Sequence, residues 1–480
     1  MSVCLAACVF VWFVILGGSL AGLCAAYNLR QAGYNFLVLE RLEAGTVTHG
    51  GLRIPPNMTR LLQTLPGGPE LLEHGTRCRG LRFVDPQTAE VLGRMEFIDE
   101  VTEDIGCHFY MVPYDTLLGY ISDLCRKSGV KIRFQVEVAS VELHPQARPV
   151  LVTVSGERIE ADVLVGADGR HSIVRDAMLQ QFEEEETDID ESASDGSSLA
   201  FPPSLAHIIG GTCSIPVSAL QDDPELVELV NSDEFVIWPG TDMLVSGHRC
   251  GPDLYIISNV RTNGAKHMDF ESDWRQTALV MNDDDLLIFQ EQEPRVQRLL
   301  TLASTSLQTI QQVHHIARLT DPSLGVVIIG DAAHTVPIHC THNSSMSVED
   351  GFALGRVFSH LTSRDQIPFF LNGYNQVRYN RTTATEASEL SGVMASTFPP
   401  GPARDARNRQ FKAMSLAGDG TEVADQLIAA AWATYLVQFN YNANEAADEW
   451  WMDWGKLARG NERMEAAAQI RTNPKESFDQ

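Results

Sequence analysis

The chain has 480 residues, 44% of them apolar and 21% charged, a composition that fits a folded protein with a large core and excludes a disordered or low-complexity scaffold. Lys and Arg number 36 against 63 Asp and Glu, and the net charge of −27 repels phosphate backbones and anionic lipid surfaces, so nucleic acid is not an expected partner. Nine cysteines, an odd number without a Cys-x-x-Cys pair, argue against a disulfide framework or a metal site and for a reducing, cytoplasmic setting.

Residues Met1 to Leu16 are nearly all apolar. No Lys or Arg precedes the run, as a signal peptide requires, and it is short for a membrane span, which needs ~20 residues. Its end, Phe13 to Leu16, reads as a buried first strand; attachment to a membrane is the lesser alternative, and neither reading explains Met1 to Val11. An Ala/Leu-rich helix ending near Gly33 and a second apolar run, Phe36 to Leu39, complete a βαβ unit. A Gly/Pro-rich loop at Gly50–Asn57 precedes a helix holding Met58 to Leu65, and a further helix over Tyr114 to Ser128 is closed by Gly129. Strands alternate through Lys131 to Val141, and a Ser155-Gly156 turn joins Val150–Val154 to Arg158–Val165. The acidic run from Glu183 to Asp195 reads as a solvated loop. Short β-rich runs at Glu234–Trp238, Met243–Ser246 and Leu254–Asn259 predict an antiparallel sheet, Val326–Ile329 another buried strand, and the chain from Ser347 onward helices with a break at Pro399–Pro402.

Three segments carry chemistry. Gly17-Gly18-Ser19-Leu20-Ala21-Gly22 follows the first strand and opens the first helix, and Glu40 ends the second strand. That is the context of a dinucleotide fingerprint, with Ser19 at the middle glycine position: helix-terminal N–H groups attract a diphosphate and the carboxylate accepts from ribose hydroxyls. Gly166-Ala167-Asp168-Gly169-Arg170 and Gly330-Asp331-Ala332-Ala333-His334 each follow an apolar strand and put an Asp at its carboxyl end, where α/β sheets bind ligands. Either Asp alone also fits a helix cap.

In this order the three segments resemble the single-component FAD-dependent aromatic monooxygenases of the para-hydroxybenzoate hydroxylase fold, especially fungal salicylate-hydroxylase-like members, from about Phe13 to Phe358 and weakly to Arg381. The resemblance implies an α/β fold with a Rossmann-like FAD-binding domain (12–83, 105–182, 301–360), an inserted antiparallel-sheet substrate domain (84–104, 201–300), an acidic loop at 183–200 and a C-terminal helical region at 361–480. It implies that Gly17, Ser19, Gly22 and Glu40 hold the ADP half of FAD, that Gly330 and Asp331 hold the ribityl side, and that Asp168 and Gly169 serve both FAD and a transient NADPH or NADH. Ser344 and Ser345 join this cofactor set, and Pro337 lies beside the flavin ring. Arg53 is a candidate for the adenosine phosphates, with a surface arginine as its equal alternative. The implied activity is insertion of one oxygen atom from O2 into a phenol or aromatic acid through a flavin hydroperoxide, as hydroxylation or oxidative decarboxylation, in fungal secondary or aromatic metabolism. A reductase on the same scaffold and a non-catalytic FAD-binding protein are the alternatives.

Two departures stand out. Tyr114 occupies the place of a family arginine, and Asn343 stands near an expected glycine, where its tolerance of the left-handed region keeps an N–H-lined pocket open. His339 and His342 are candidates to orient a phenol or take its proton, whereas His334 belongs to the motif and is structural. Trp238 and Tyr255 are read as core aromatics first and cleft residues second. Trp450, Trp451, Met452 and Trp454 form an apolar stripe suited to packing or a partner surface.

Overall fold

The structure, a computed structural model, describes residues 11–46, 50–97, 105–145, 147–186, 207–262, 286–312, 316–334, 336, 340–415 and 436–455. A six-stranded sheet runs in the order Thr320–Asp321, Val326–Ile328, Val163–Gly166, Trp12–Leu16, Asn35–Leu39, Lys131–Arg133, and every pairing is parallel except the antiparallel edge at Thr320–Asp321. Trp12–Leu16 lies inside this sheet and four of its five residues are buried, which explains its uninterrupted apolar run. The register sets Leu16 beside both Leu39 and Gly166, and Gly166 beside Ile328. The chain therefore leaves all four strands at one edge, and the segments starting at Gly17, Glu40, Ala167 and Ile329 emerge side by side.

The Leu20–Gln31 helix packs against the Asn343–Phe358 helix, and both are largely buried. Glycines permit that approach: a Cβ on Gly351 would stand 2.6 Å from Ala25 N and Cys24 Cβ, and one on Gly355 2.5 Å from Asn28 Cβ.

A second sheet has seven strands in the order Thr305–Gln312, His207–Pro216, Leu254–Arg261, Met243–Cys250, Glu234–Pro239, Gly80–Val84, Val91–Glu96. It is antiparallel apart from the parallel join of Glu234–Pro239 to Gly80–Val84. Its faces differ in partner. Val236, Trp238, Val245, Tyr255 and Ile257 pack with the helices Pro224–Asn231 and Pro294–Thr301. Phe235, Cys250 and Ile256 pack with Phe109 and Met111 of the small sheet Gly51–Ile54, Phe109–Pro113, Thr76–Cys78 that bridges to the first domain. Trp238 and Tyr255 are thus core residues of the face turned away from that bridge, and Trp238 Nε1 donates to the buried Glu293 at 2.8 Å.

Three expectations are revised. Glu183–Glu186 close the Ile173–Glu186 helix instead of entering a loop, in keeping with the helix propensity of Glu; the rest of the acidic run lies outside the described residues. The Arg158–Val165 run divides, its first half pairing in the hairpin and Val163–Gly166 joining the parallel sheet. The C-terminal tryptophans also divide: Trp450 rests on Gly373 and donates to Gln376, Trp451 stacks on His360 at 4.2 Å, while Trp454 is 62% exposed. Among the described residues no helix is long and apolar enough to cross a membrane.

Candidate cofactor and active site

At the shared sheet edge the chain turns tightly enough to need glycine. Gly17 has φ +110°, and a Cβ there would lie 2.1 Å from Ala167 O; a Cβ on Gly22 would lie 1.9 Å from Gly17 O. These two positions bring the first helix onto its strand and onto the 166–172 loop. Ser19 is the exposed N-cap residue of the Leu20–Gln31 helix, and its side chain makes no capping bond. Glu40 accepts the Gly18 N–H at 2.6 Å through one oxygen and the Leu42 N–H at 2.8 Å through the other.

The second and third segments close on the first. Gly330 has φ +62°, and a Cβ on it would stand 2.6 Å from Ala21 Cβ. Arg170 Nε donates to Asp331 Oδ2 at 3.1 Å, and Asn343 Nδ2 donates to Asp331 Oδ1 at 3.1 Å and to Val336 O at 3.1 Å. Asn343 is the first residue of its helix, so the expected left-handed conformation is absent; the amide works as a bridge between loop and helix. Arg170 Nη1 and Nη2 are buried without a hydrogen-bond partner among the described residues, and Gly169, at φ +83°, would place a Cβ in open space. Unspent buried donors beside a glycine cradle suit a ligand rich in acceptor oxygens. Tyr114 completes this region: its phenol lies against the Leu20 backbone, and burial with the charges of Asp331 and Glu40 pushes it up to about 12.

Asp168 also serves as a local cap, accepting from Ser172 Oγ at 2.5 Å and from the Val174 N–H at 3.4 Å. Burial pushes it up to about 6, against the pull of those hydrogen bonds. Since the folded value exceeds the unfolded 3.8, the folded state binds this proton more tightly; that stabilisation is complete at lower pH and is lost as pH rises through about 6. Asp168→Asn is expected to flatten this loss, by roughly 2 kcal/mol between about pH 4 and pH 7, in denaturant titrations at the two values. An unaltered pH dependence would contradict the assignment.

Ser344 Oγ donates to Arg53 O at 3.2 Å and Ser345 Oγ to His342 O at 3.1 Å, so both hydroxyls serve protein carbonyls. Arg53, expected at the adenosine phosphates, instead faces the seven-stranded sheet: it is 8% exposed, donates to Ser246 Oγ at 3.2 Å and lies 4.2 Å above the Phe235 ring. The reason is local, because its strand Gly51–Ile54 belongs to the bridging sheet and not to the fingerprint edge. Burial pulls its guanidinium down to about 10. His342 Nδ1 lies 2.7 Å from Glu389 Oε1, and its backbone N–H donates to the same oxygen at 2.9 Å. Pro337 and His339 lie outside the described residues.

A buried ionic cluster, which sequence reasoning missed, supports the Gly330–Asp331 turn. Asp350 accepts from the Gly330 N–H, lies 2.8 Å from His334 Nε2 and accepts from Arg378 Nε at 2.8 Å. Glu349 accepts from Arg378 Nη1 at 2.7 Å, Arg381 Nη2 at 3.1 Å and Asn57 Nδ2 at 2.7 Å. Burial opposes the charge on Glu349, yet Arg381 and Arg378 prevail and hold it down at about 2. Burial likewise works against a charged His334, and the Asp350 carboxylate lifts it nonetheless. The Glu-Asp pair itself was the available sign, since adjacent carboxylates in an apolar helix need buried cations.

Comparison with known proteins agrees with this geometry. The FAD binding domain family matches residues 11–225. The chain is 24% identical to the FAD-dependent monooxygenase OpS4 of Beauveria bassiana over 91% of its own length and 96% of that protein's. It is 23% identical to the 3-hydroxybenzoate 6-hydroxylase 1 of Aquipseudomonas alcaligenes over 78% and 86% of the two chains. Among solved structures, a salicylate hydroxylase substrate complex superposes with a TM-score of 0.63 at 17% identity, covering 92% of this chain and 97% of that one.

Proposed function

We propose that the chain is an FAD-dependent monooxygenase that uses NADPH or NADH and O2 to insert one oxygen atom into a phenol or aromatic acid. One observation carries the cofactor half of this reading: parallel register brings the Gly17–Gly22, Ala167–Arg170 and Gly330–Asp331 segments to one sheet edge, where they touch. The substrate half is supported by the similarity to the hydroxybenzoate and salicylate hydroxylases.

In this reading the N-terminus of the Leu20–Gln31 helix and Arg170 attract the diphosphate, Glu40 takes a ribose hydroxyl, and Asp331, aligned by Arg170 and Asn343, takes the ribityl hydroxyls. Asp168 and Gly169 edge the approach of the nicotinamide nucleotide. FAD, bound there, supplies the redox and oxygen chemistry. The chain's own residues bind and orient it, exclude water, and hold the ring of the substrate between the seven-stranded sheet and the Asn343–Phe358 helix.

The test is turnover by the FAD-loaded protein with a panel of salicylate, 3-hydroxybenzoate and 4-hydroxybenzoate. The expected result is NADPH or NADH oxidation that rises with one of these, matched by O2 consumption and a product carrying the added oxygen. Nucleotide oxidation indifferent to every phenol, with no oxygenated product, would overturn the reading in favour of a reductase.

A further inference from the structure

The gap between the inner face of the seven-stranded sheet and the start of the Asn343–Phe358 helix is filled by a side chain from far along the chain. Phe439 is 5% exposed; its ring stacks on His342 at 5.2 Å, meets Phe109 of the bridging sheet edge-on at 6.1 Å, and shares an apolar cluster with Phe235 and Ile256 of the larger sheet. It reaches in from the stretch 436–441, ahead of the Ala443–Trp450 helix, and is the one buried residue of that stretch. Its neighbours turn outward: Leu436 and Asn440 are exposed, and Val437 is 73% exposed. A core segment buries a face, whereas this one inserts a single ring.

Side chains fasten the stretch. Arg381, on the Ile367–Ser396 helix, donates through Nη2 to Gln438 O at 3.0 Å and through Nη1 to Gln438 Oε1 at 3.1 Å. Arg60, on the Pro56–Gln63 helix, donates through Nη2 to Asn440 Oδ1 at 3.0 Å and through Nη1 to Asn440 O at 3.2 Å. The bonds to Asn440 are exposed and those to Gln438 partly so, and water competes for the groups that make them. Under the ring lies a polar atom, His342 Nε2, buried without a hydrogen-bond partner among the described residues. Such an atom carries a desolvation penalty that a permanent wall would retain and that opening relieves.

We propose that the stretch 436–441 is an autoinhibitory strap: Phe439 occupies the space of an incoming aromatic ring, and the strap must lift before that ligand can enter. The inference rests on the monooxygenase reading, which supplies the ligand, and adds how its entry is controlled. Phe439 and the ligand compete for one space, so the apparent affinity is the intrinsic affinity reduced by the fraction of chains that stand open. The latch is anchored on the cofactor side, because the Arg381 guanidinium that holds Gln438 also donates to Glu349, the neighbour of the Asp350 that accepts the Gly330 N–H.

The test reads hydrogen exchange in peptides spanning 436–441 of FAD-loaded wild-type protein, with and without saturating phenol, whose ring matches the one Phe439 presents. Phenol is expected to speed exchange across the strap roughly tenfold or more, since binding makes the open form dominant. Slower exchange overturns the proposal, because Phe439 would then be a wall that tightens on the ligand, and unchanged exchange overturns it as well. Gln438→Ala combined with Asn440→Ala removes side-chain latch bonds and keeps the Phe439 ring, and should lower the apparent Kd for phenol roughly tenfold in equilibrium dialysis. Equal affinity in a variant of full flavin content overturns the proposal; if the variant does not fold, exchange in the wild-type protein decides. Neither measurement involves turnover: oxygenation without a strap response refutes the strap alone, and a strap that opens in a protein without oxygenase activity refutes the monooxygenase reading alone.

Discussion

Arg378→Met is expected to destabilise the folded chain by about 3–5 kcal/mol, the cost of leaving buried carboxylates without their cation. Arg378 is fully buried and joins both acids, at 2.8 Å to Asp350 and 2.7 Å to Glu349. Methionine fills much of the volume but supplies no donor, so the ionised pair would lose its shared cation and keep Arg381, Asn57, His334 and the Gly330 N–H among its partners. The pH dependence sharpens the expectation. Glu349, held at about 2 in the fold against an ordinary 4.5, contributes stability present above 4.5 and lost as pH falls through about 2. The variant should therefore lose most at neutral pH and least in acid. Denaturant midpoints at about pH 7 and pH 3 check this; a loss below about 1 kcal/mol at neutral pH would show that the cluster does not hold the turn.

Gly22→Ala is expected to raise the FAD dissociation constant roughly tenfold to hundredfold, in line with the 1–3 kcal/mol that overpacking costs. The new Cβ would stand 1.9 Å from a backbone oxygen, Gly17 O, and 3.3 Å from Ala167 Cβ, so the helix must lift from its strand and the diphosphate would meet a displaced helix terminus. Gly119→Ala is the control. Gly119 lies in the Tyr114–Lys127 helix with nothing within 4 Å of its Cβ position, and alanine there should leave FAD affinity unchanged while adding up to about 1 kcal/mol of helix propensity. Flavin fluorescence titrations of the two variants decide it; an unaltered affinity in Gly22→Ala would contradict the placement of the diphosphate.

The strands and turns around the cofactor edge were legible because each is encoded locally: an apolar run, then glycines where a Cβ has no room, then an acid at the strand end. Gly17, Gly22, Glu40, Asp168, Gly330 and Asp331 all fall where that grammar puts them. What escaped depends on pairing across the chain. Arg378 reaches Asp350 from a helix 28 positions onward, and His342 meets Glu389 across 47 positions, which no periodicity announces. Facing was equally hidden: alternation marks Trp238 and Phe235 as opposite but not which of them looks toward the first domain, and Arg53 carries no sign that its strand leaves the fingerprint sheet for the bridge. Asp168 shows the converse difficulty, because capping a helix and edging a ligand cleft ask the same residue type of the same position.

The most direct test of the account is a titration of FAD-depleted protein with FAD, followed by flavin fluorescence and the visible spectrum. Convergence of the Gly17, Asp168 and Asp331 segments on one cradle predicts saturation at a single FAD per chain, a yellow protein, and release of the flavin on unfolding. A chain that folds, stays colourless and leaves FAD fluorescence untouched would contradict it.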